Sequence, residues 1–135
     1  MIRQLDDRTL VSGQLTPDQV ADLKTQGVTM LVNNRPDNED EGQPLSSDME
    51  AAARAAGLEY RHIPIRYGIG PSDIEAMRKA IHAAGDGKLL AFCRGGNRST
   101  LAWAVARSED GAEPEELRRC AEAAGFDLGP VAHLL

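Results

Sequence analysis

The chain is predicted to fold as an α/β protein with a central, mainly parallel sheet of about four strands flanked by helices. Three observations predict this. Short apolar runs alternate with segments that carry helix start signals, the pattern of βαβ units. One run, Val28 to Val32, is apolar almost throughout, as in a strand covered on both faces. Glycines stand where the helices should stop.

Taken in order, Thr9 to Ser12 reads as the first strand. Thr16-Pro17-Asp18-Gln19 then opens a helix: Thr16 can cap, Pro17 suits the first helical position, and Gln19 completes a capping box. Leu15 and Val20 are spaced as a hydrophobic staple, and Gly27 ends the helix as a left-handed cap. Val28 to Val32 is the next strand, and Asn33 to Pro44 an acidic loop. Ser47-Asp48-Met49-Glu50 reads as a second capping box, with Gly57 closing its helix. Leu58 to Ile65 reads as a strand in which Pro64, lacking an N–H, weakens the pairing. Ser72-Asp73-Ile74-Glu75 reads as a third capping box, before a helix with Ile74, Met77, Ile81 and Ala84 on one face and Gly85 at its end. Lys88 to Phe92 is the last strand. Ser99 to Arg107 is a helix apolar around much of its circumference and therefore buried, and Pro114 opens a final helix that Gly125 ends.

A length of 135 residues suits one domain, spanning 1–135, with an ordinary hydrophobic core. Composition agrees: 41% hydrophobic and 27% charged is a soluble globular balance. The formal charge of −6 argues against nucleic-acid binding, which rests on basic residues neutralising phosphates. No run approaches the roughly 20 apolar residues of a membrane span, and the charged Met1–Leu10 segment does not resemble a secretory signal, so a cytoplasmic location and no membrane partner are expected. Cys93 and Cys120 lack CxxC spacing, and His62, His82 and His133 are scattered, so no metal site is expected. Oligomeric state cannot be read from the sequence.

Ligands of such sheets bind beyond the carboxyl ends of the strands, which selects Cys93-Arg94-Gly95-Gly96-Asn97-Arg98-Ser99-Thr100. Cys93 falls at the end of a buried strand and near a helix amino end. The dipole there, with Arg94 and Arg98, favours the thiolate, which is the nucleophilic form. Gly95 and Gly96 allow the backbone N–H groups of residues 94–99 to turn inward as an anion nest. Arg98 can hold two anion oxygens through its planar fork, and Ser99 can donate to the sulfur. Together these suit attack by sulfur on a tetrahedral oxyanion. Cys120, among Leu117, Ala121 and Ala124, reads as core.

These residues, with Val11-Ser12-Gly13-Gln14-Leu15, Val32-Asn33-Asn34-Arg35-Pro36-Asp37, Glu41-Gly42-Gln43-Pro44, Ala55-Ala56-Gly57-Leu58-Glu59-Tyr60 and Ile63-Pro64, occur in the order seen in a known family. Over residues 2 to 130 the chain resembles the bacterial phosphatase-like family related to the amino-terminal domain of beta-lactamase hydrolase-like proteins. The resemblance implies a fold similar to dual-specificity and tyrosine phosphatases. It also implies Cys93 as nucleophile through a phosphocysteine, Arg98 as oxyanion binder, a phosphorylated or other anionic substrate, and no cofactor.

Two features depart from tyrosine phosphatases. Four residues rather than five separate Cys93 from Arg98, a spacing similar to that of rhodanese sulfurtransferases, whose cysteine carries a persulfide. Ile63-Pro64-Ile65 is followed by Arg66-Tyr67-Gly68, with Tyr67 about where an aspartate general acid is usual. The acid is then Asp37, Glu39, Asp73 or none; Asp73 also fits a capping role. Arg35 can add positive charge, and Asn33 and Asn34 can fix their loop by hydrogen bonds. The expected function is cysteine-dependent hydrolysis of phosphate esters. The alternatives are sulfur transfer through a Cys93 persulfide and a non-catalytic anion- or partner-binding module.

Overall fold

Five strands make one sheet in the order β1-β2-β5-β3-β4: β1 (Ile2–Asp6), β2 (Thr9–Ser12), β3 (Val28–Asn33), β4 (Glu59–His62) and β5 (Lys88–Phe92). The computed structural model describes residues 1–135. β1 pairs antiparallel with β2, and every other pairing is parallel. The expected four strands are therefore five. The addition, β1, is an edge strand in which only Leu5 is buried, so its sequence shows none of the apolar run that marks the central strands.

Side-chain alternation sends each central strand into two apolar layers. Val11, Met30, Val32, Leu89 and Ala91 join the layer under α3 (Pro71–Ala84), α4 (Asn97–Glu109) and α5 (Pro114–Ala123). Leu10, Leu31, Leu90 and Phe92 join the opposite layer, with Val20 of α1 (Pro17–Val20) and Met49 and Ala53 of α2 (Ser46–Ala55). α4 is buried at every position from Ser99 to Ala106, as its all-round apolar pattern requires.

Local signals act as expected at α1. Thr16 Oγ1 accepts from the Gln19 amide and Gln19 Oε1 accepts from the Thr16 amide, while Leu15 and Val20 are buried in one cluster. α1 lasts only four residues before a 3-10 turn, Leu23–Gln26, that Gly27 closes at φ 89°. The other two capping boxes are corrected. Ser47 lies inside α2, whose N-cap is Leu45; the Ser46 amide donates instead to Asp37 Oδ1 at 2.8 Å. In α3 the N-cap is Gly70, whose amide donates to Asp73 Oδ2 at 2.9 Å, so Ser72 is not the cap. β4 stops at His62, two residues before Pro64, rather than running to Ile65.

The parallel register aligns Ser12, Phe92, Asn33 and His62 across four strands. The loops that follow them, starting at Gly13, Cys93, Asn34 and Ile63, therefore emerge along one edge of the sheet.

Candidate active site

Cys93 follows β5 directly, and its amide donates to Ser12 O of β2 at 3.3 Å. One residue on, Gln14 N donates to Arg94 O at 3.3 Å. A Cβ at Gly13 would stand 3.0 Å from that same carbonyl oxygen, so the β2 loop lies against the cysteine loop closely enough that a side chain there would make the backbone give by a few tenths of an ångström.

The sulfur of Cys93 is buried at the base of the loop and accepts a hydrogen bond from Gly96 N at 3.1 Å. Gly96 caps α4 at φ 96°, a left-handed conformation that favours glycine, and Phe126 packs against it. Gly95 is exposed and is not in that region, so of the two expected glycines only Gly96 is required by its backbone angle. The amides of Arg94, Gly95, Asn97, Arg98 and Ser99 find no acceptor within the chain. The last three belong to the first turn of α4, where orphan N–H groups and the helix dipole favour an anion.

Arg98 reaches across to the acidic loop. Its Nη1 donates to Glu39 Oε2 at 2.8 Å and to Ile65 O at 2.8 Å, and its Nη2 donates to Glu39 Oε1 at 2.9 Å. Arg98 is held charged more firmly than usual, first by the Glu39 hydrogen bonds and also by the nearby Cys93 sulfur. Glu39 is pulled from 4.5 down to about 2, chiefly by the Arg98 hydrogen bonds and further by Arg35.

Arg35 is almost fully buried. It donates to Glu39 Oε1 at 2.9 Å, Gln14 Oε1 at 3.0 Å and Asp40 Oδ2 at 2.6 Å, so its charge is matched by carboxylates rather than left open to an incoming anion. Arg94 is largely exposed, with Nε 3.2 Å from the same Asp40 oxygen. Asn97 is exposed at the start of α4.

Ser99 departs from its expected role. Its hydroxyl donates to Asn34 Oδ1 at 2.7 Å rather than to sulfur, and Asn34 Nδ2 donates in turn to Ile63 O at 3.0 Å. Ser99 thus braces the β3 loop against α4. Asn33 and Asn34 do fix their loop: Arg35 N donates to Asn33 Oδ1 at 2.9 Å, and Asn33 Nδ2 donates to the Tyr60 hydroxyl at 3.0 Å. Of the expected acids, Asp37 caps α2, Asp73 caps α3, and Glu39 is engaged by two arginines. Tyr67 is 96% exposed. Gln14, Asp40 and the Ile65 carbonyl were not expected at the site. Gln14 lies in a stretch that carries the family resemblance, Asp40 in the acidic loop, and a carbonyl leaves no trace in a sequence.

No three His, Cys, Asp or Glu side chains gather to hold a metal ion. A cavity of about 440 Å³ lies at the other end of the sheet, lined by Arg8, Thr9, His82, Leu89 and Arg107 among others; no cysteine lines it. No helix is long and apolar enough to cross a membrane.

A sheet covered on both faces, with a cysteine–arginine loop joining its central strand to a buried helix, defines a phosphatase-like α/β protein. Residues 1–110 match the family model of the beta-lactamase hydrolase-like protein, phosphatase-like domain. A beta-lactamase hydrolase-like protein of Xylella fastidiosa is 35% identical over 130 residues, covering 95% of this chain and 30% of that protein. Its counterpart in Agrobacterium fabrum is 31% identical over 129 residues, covering 93% and 29%. The crystal structure of a candidate phosphatase from Neisseria meningitidis has a TM-score of 0.82 at 32% identity, covering 98% of this chain and 94% of that one. Tk-PTP in its active form shares the fold at a TM-score of 0.70 and 18% identity, covering 98% and 91%. The chain belongs to the phosphatase-like domain family of beta-lactamase hydrolase-like proteins. It spans about three tenths of the length of the curated relatives it matches.

Proposed function

We propose that the domain hydrolyses phosphate monoesters by nucleophilic catalysis at Cys93. The observation that carries this reading is the Gly96 amide directed at the Cys93 sulfur at 3.1 Å, beside a helix turn whose amides have no other acceptor. That contact fixes the sulfur at the base of the loop, below the open amides of the helix turn. The sulfur attacks phosphorus, the loop amides and Arg98 receive the equatorial oxygens, and water releases phosphate from the phosphocysteine. The substrate is a phosphorylated anion, and the chemistry as written needs no metal or organic cofactor.

Arg98 takes part while remaining anchored. Glu39 and the Ile65 carbonyl occupy hydrogens on both terminal nitrogens, which orients the guanidinium plane before substrate arrives. Sulfur transfer through a Cys93 persulfide is the second reading. The four-residue loop supports it, because a ring that small suits a terminal sulfur.

Phosphate release from p-nitrophenyl phosphate, lost in Cys93→Ser, is the test. Thiocyanate formed from thiosulfate and cyanide, lost in the same variant and without phosphate release, moves the assignment to sulfur transfer. If neither product forms while phosphate still raises the melting temperature, the domain is an anion-binding module.

A further inference from the structure

The cavity of about 440 Å³ at the amino edge of the sheet lies between the β1–β2 turn, the carboxyl end of α3, the start of β5 and the last turn of α4. Small-molecule sites commonly enclose about 300–1,000 Å³. Thr9 and Leu89 are paired across β2 and β5 and line the cavity together. Thr9 stands two residues from Val11, whose side chain joins the layer under α3 and α4, so its own side chain faces that layer too. It is 3% exposed, and its hydroxyl makes no hydrogen bond within the chain, which is uncommon for a buried hydroxyl. Ile81 and Ala84 of α3 extend the apolar wall beside Leu89.

Among the charged and titratable groups of this cavity, Asp6, Arg8 and His82 are already committed. Asp6 Oδ1 accepts from the Arg8 amide at 2.9 Å, Arg8 Nη1 donates to Gly85 O at 3.0 Å, and His82 Nε2 lies 2.9 Å from Asp110 Oδ2. Arg107 and Asp7 line the same cavity but form no ion pair, either with each other or with any other residue. Arg107 is half-buried, and every other arginine has an oxygen partner except Arg66, which is exposed. The carboxyl end of α3 opens on the cavity at Ala84 and Gly85, which favours positive charge there and opposes a lone anion.

We propose that this cavity binds a small zwitterion, an α-amino acid with an apolar side chain. Arg107 presents its planar fork to the carboxylate, with the Thr9 hydroxyl as a further donor. Asp7 and the end of α3 receive the ammonium, and the ligand side chain covers Ile81, Ala84 and Leu89. Opposite charges that line one cavity without meeting are bridged by a ligand that carries both. Cys93 follows the far end of β5, so binding here is separate from the chemistry at the sulfur.

The test is isothermal titration calorimetry of the native chain with valine, leucine, methionine and phenylalanine. Each is compared with the acid and the amine that lack one of its charged groups (for leucine, 4-methylpentanoate and 3-methylbutylamine). At least one amino acid should bind saturably at millimolar concentration, and its acid and amine about 10–100-fold more weakly, the range of a hydrogen bond to a charged group. Arg107→Gln and Asp7→Asn should weaken the amino acid by a similar factor while leaving the ligand-free melting temperature unchanged. No saturable binding by any of the four, an acid or amine that binds as tightly as its amino acid, or undiminished affinity in either variant overturns the proposal. The first two outcomes are read on the native chain alone.

Discussion

Arg98 and Glu39, 59 positions apart in sequence, form a two-point ion pair with N–O distances of 2.8 and 2.9 Å. One partner starts α4 and the other belongs to the loop after β3, so the pair ties the anion loop to its neighbour across the sheet edge. Because Arg35 holds the same carboxylate from a buried position, three charged side chains set one guanidinium orientation. Planar, bidentate geometry is what an arginine provides and a lysine does not.

Replacing Arg98 with Lys should therefore lower kcat toward p-nitrophenyl phosphate by about 10²–10³-fold, the range for loss of one preorganised oxyanion donor. Steady-state kinetics checks this, and unchanged turnover removes Arg98 from the mechanism.

Glu39 links this pair to pH. Its folded-state pKa of about 2 lies below its ordinary 4.5, so it contributes stability that is fully present above pH 4.5 and is lost as pH falls through about 2. Acid titration of the melting temperature should show this loss in the native chain, and Glu39→Gln should flatten that part of the curve. An identical acid limb in both proteins contradicts the ion pair.

Ser99→Ala should act mainly on stability. Removing the hydroxyl strands the buried Asn34 Oδ1, a loss of about 1–3 kcal/mol. Chemical denaturation measures it. If stability is unchanged and kcat collapses instead, the hydroxyl serves the sulfur after all.

Gly96→Ala should be costly twice. A residue with a Cβ held at φ 96° loses about 1–3 kcal/mol, and the new methyl would meet Phe126 Cζ at 3.0 Å. The amide that faces Cys93 shifts with it, so activity should fall further than stability alone explains. Activity equal to that of the native chain at a temperature where both are folded would refute this.

Iodoacetate should label Cys93 before Cys120, and inorganic phosphate should protect Cys93 only. Burial and Glu116 raise the Cys120 thiol above its ordinary value, which keeps it slow. Peptide mass mapping reads both sites, and equal rates without protection argue against an activated loop.

Local chemistry made most of the sheet legible. β5 runs from Lys88 to Phe92 as its apolar run indicates, and the Thr16–Gln19 box forms as written. Most of the errors share a physical origin, partners distant in sequence; the start of α3 is the exception, where Asp73 caps the Gly70 amide three residues away. The Ser46 amide is capped by Asp37, nine residues upstream, so the serine-rich start of α2 suggested the wrong cap. β1 is held by its pairing to β2 and by Arg3, which donates to Ala124 O at 2.6 Å and lies over Phe126, and neither contact shows in its own composition. At the site, Cys93 and its loop were legible because consecutive residues build them. Glu39 stood out only as a candidate acid, since its contact with Arg98 exists only after β3 and β5 pair.

The close approach of Gly13 to the Arg94 carbonyl limits how the reactive ring can be remodelled. A fifth residue inserted beside Arg94 would press against that turn, whereas one inserted at Gly95, where the loop is exposed and nothing stands within 4 Å, would not. An engineer seeking a wider cradle would lengthen the loop at its tip and leave the turn after β2 intact. The stem of the ring and that turn therefore vary together, and the tip varies alone.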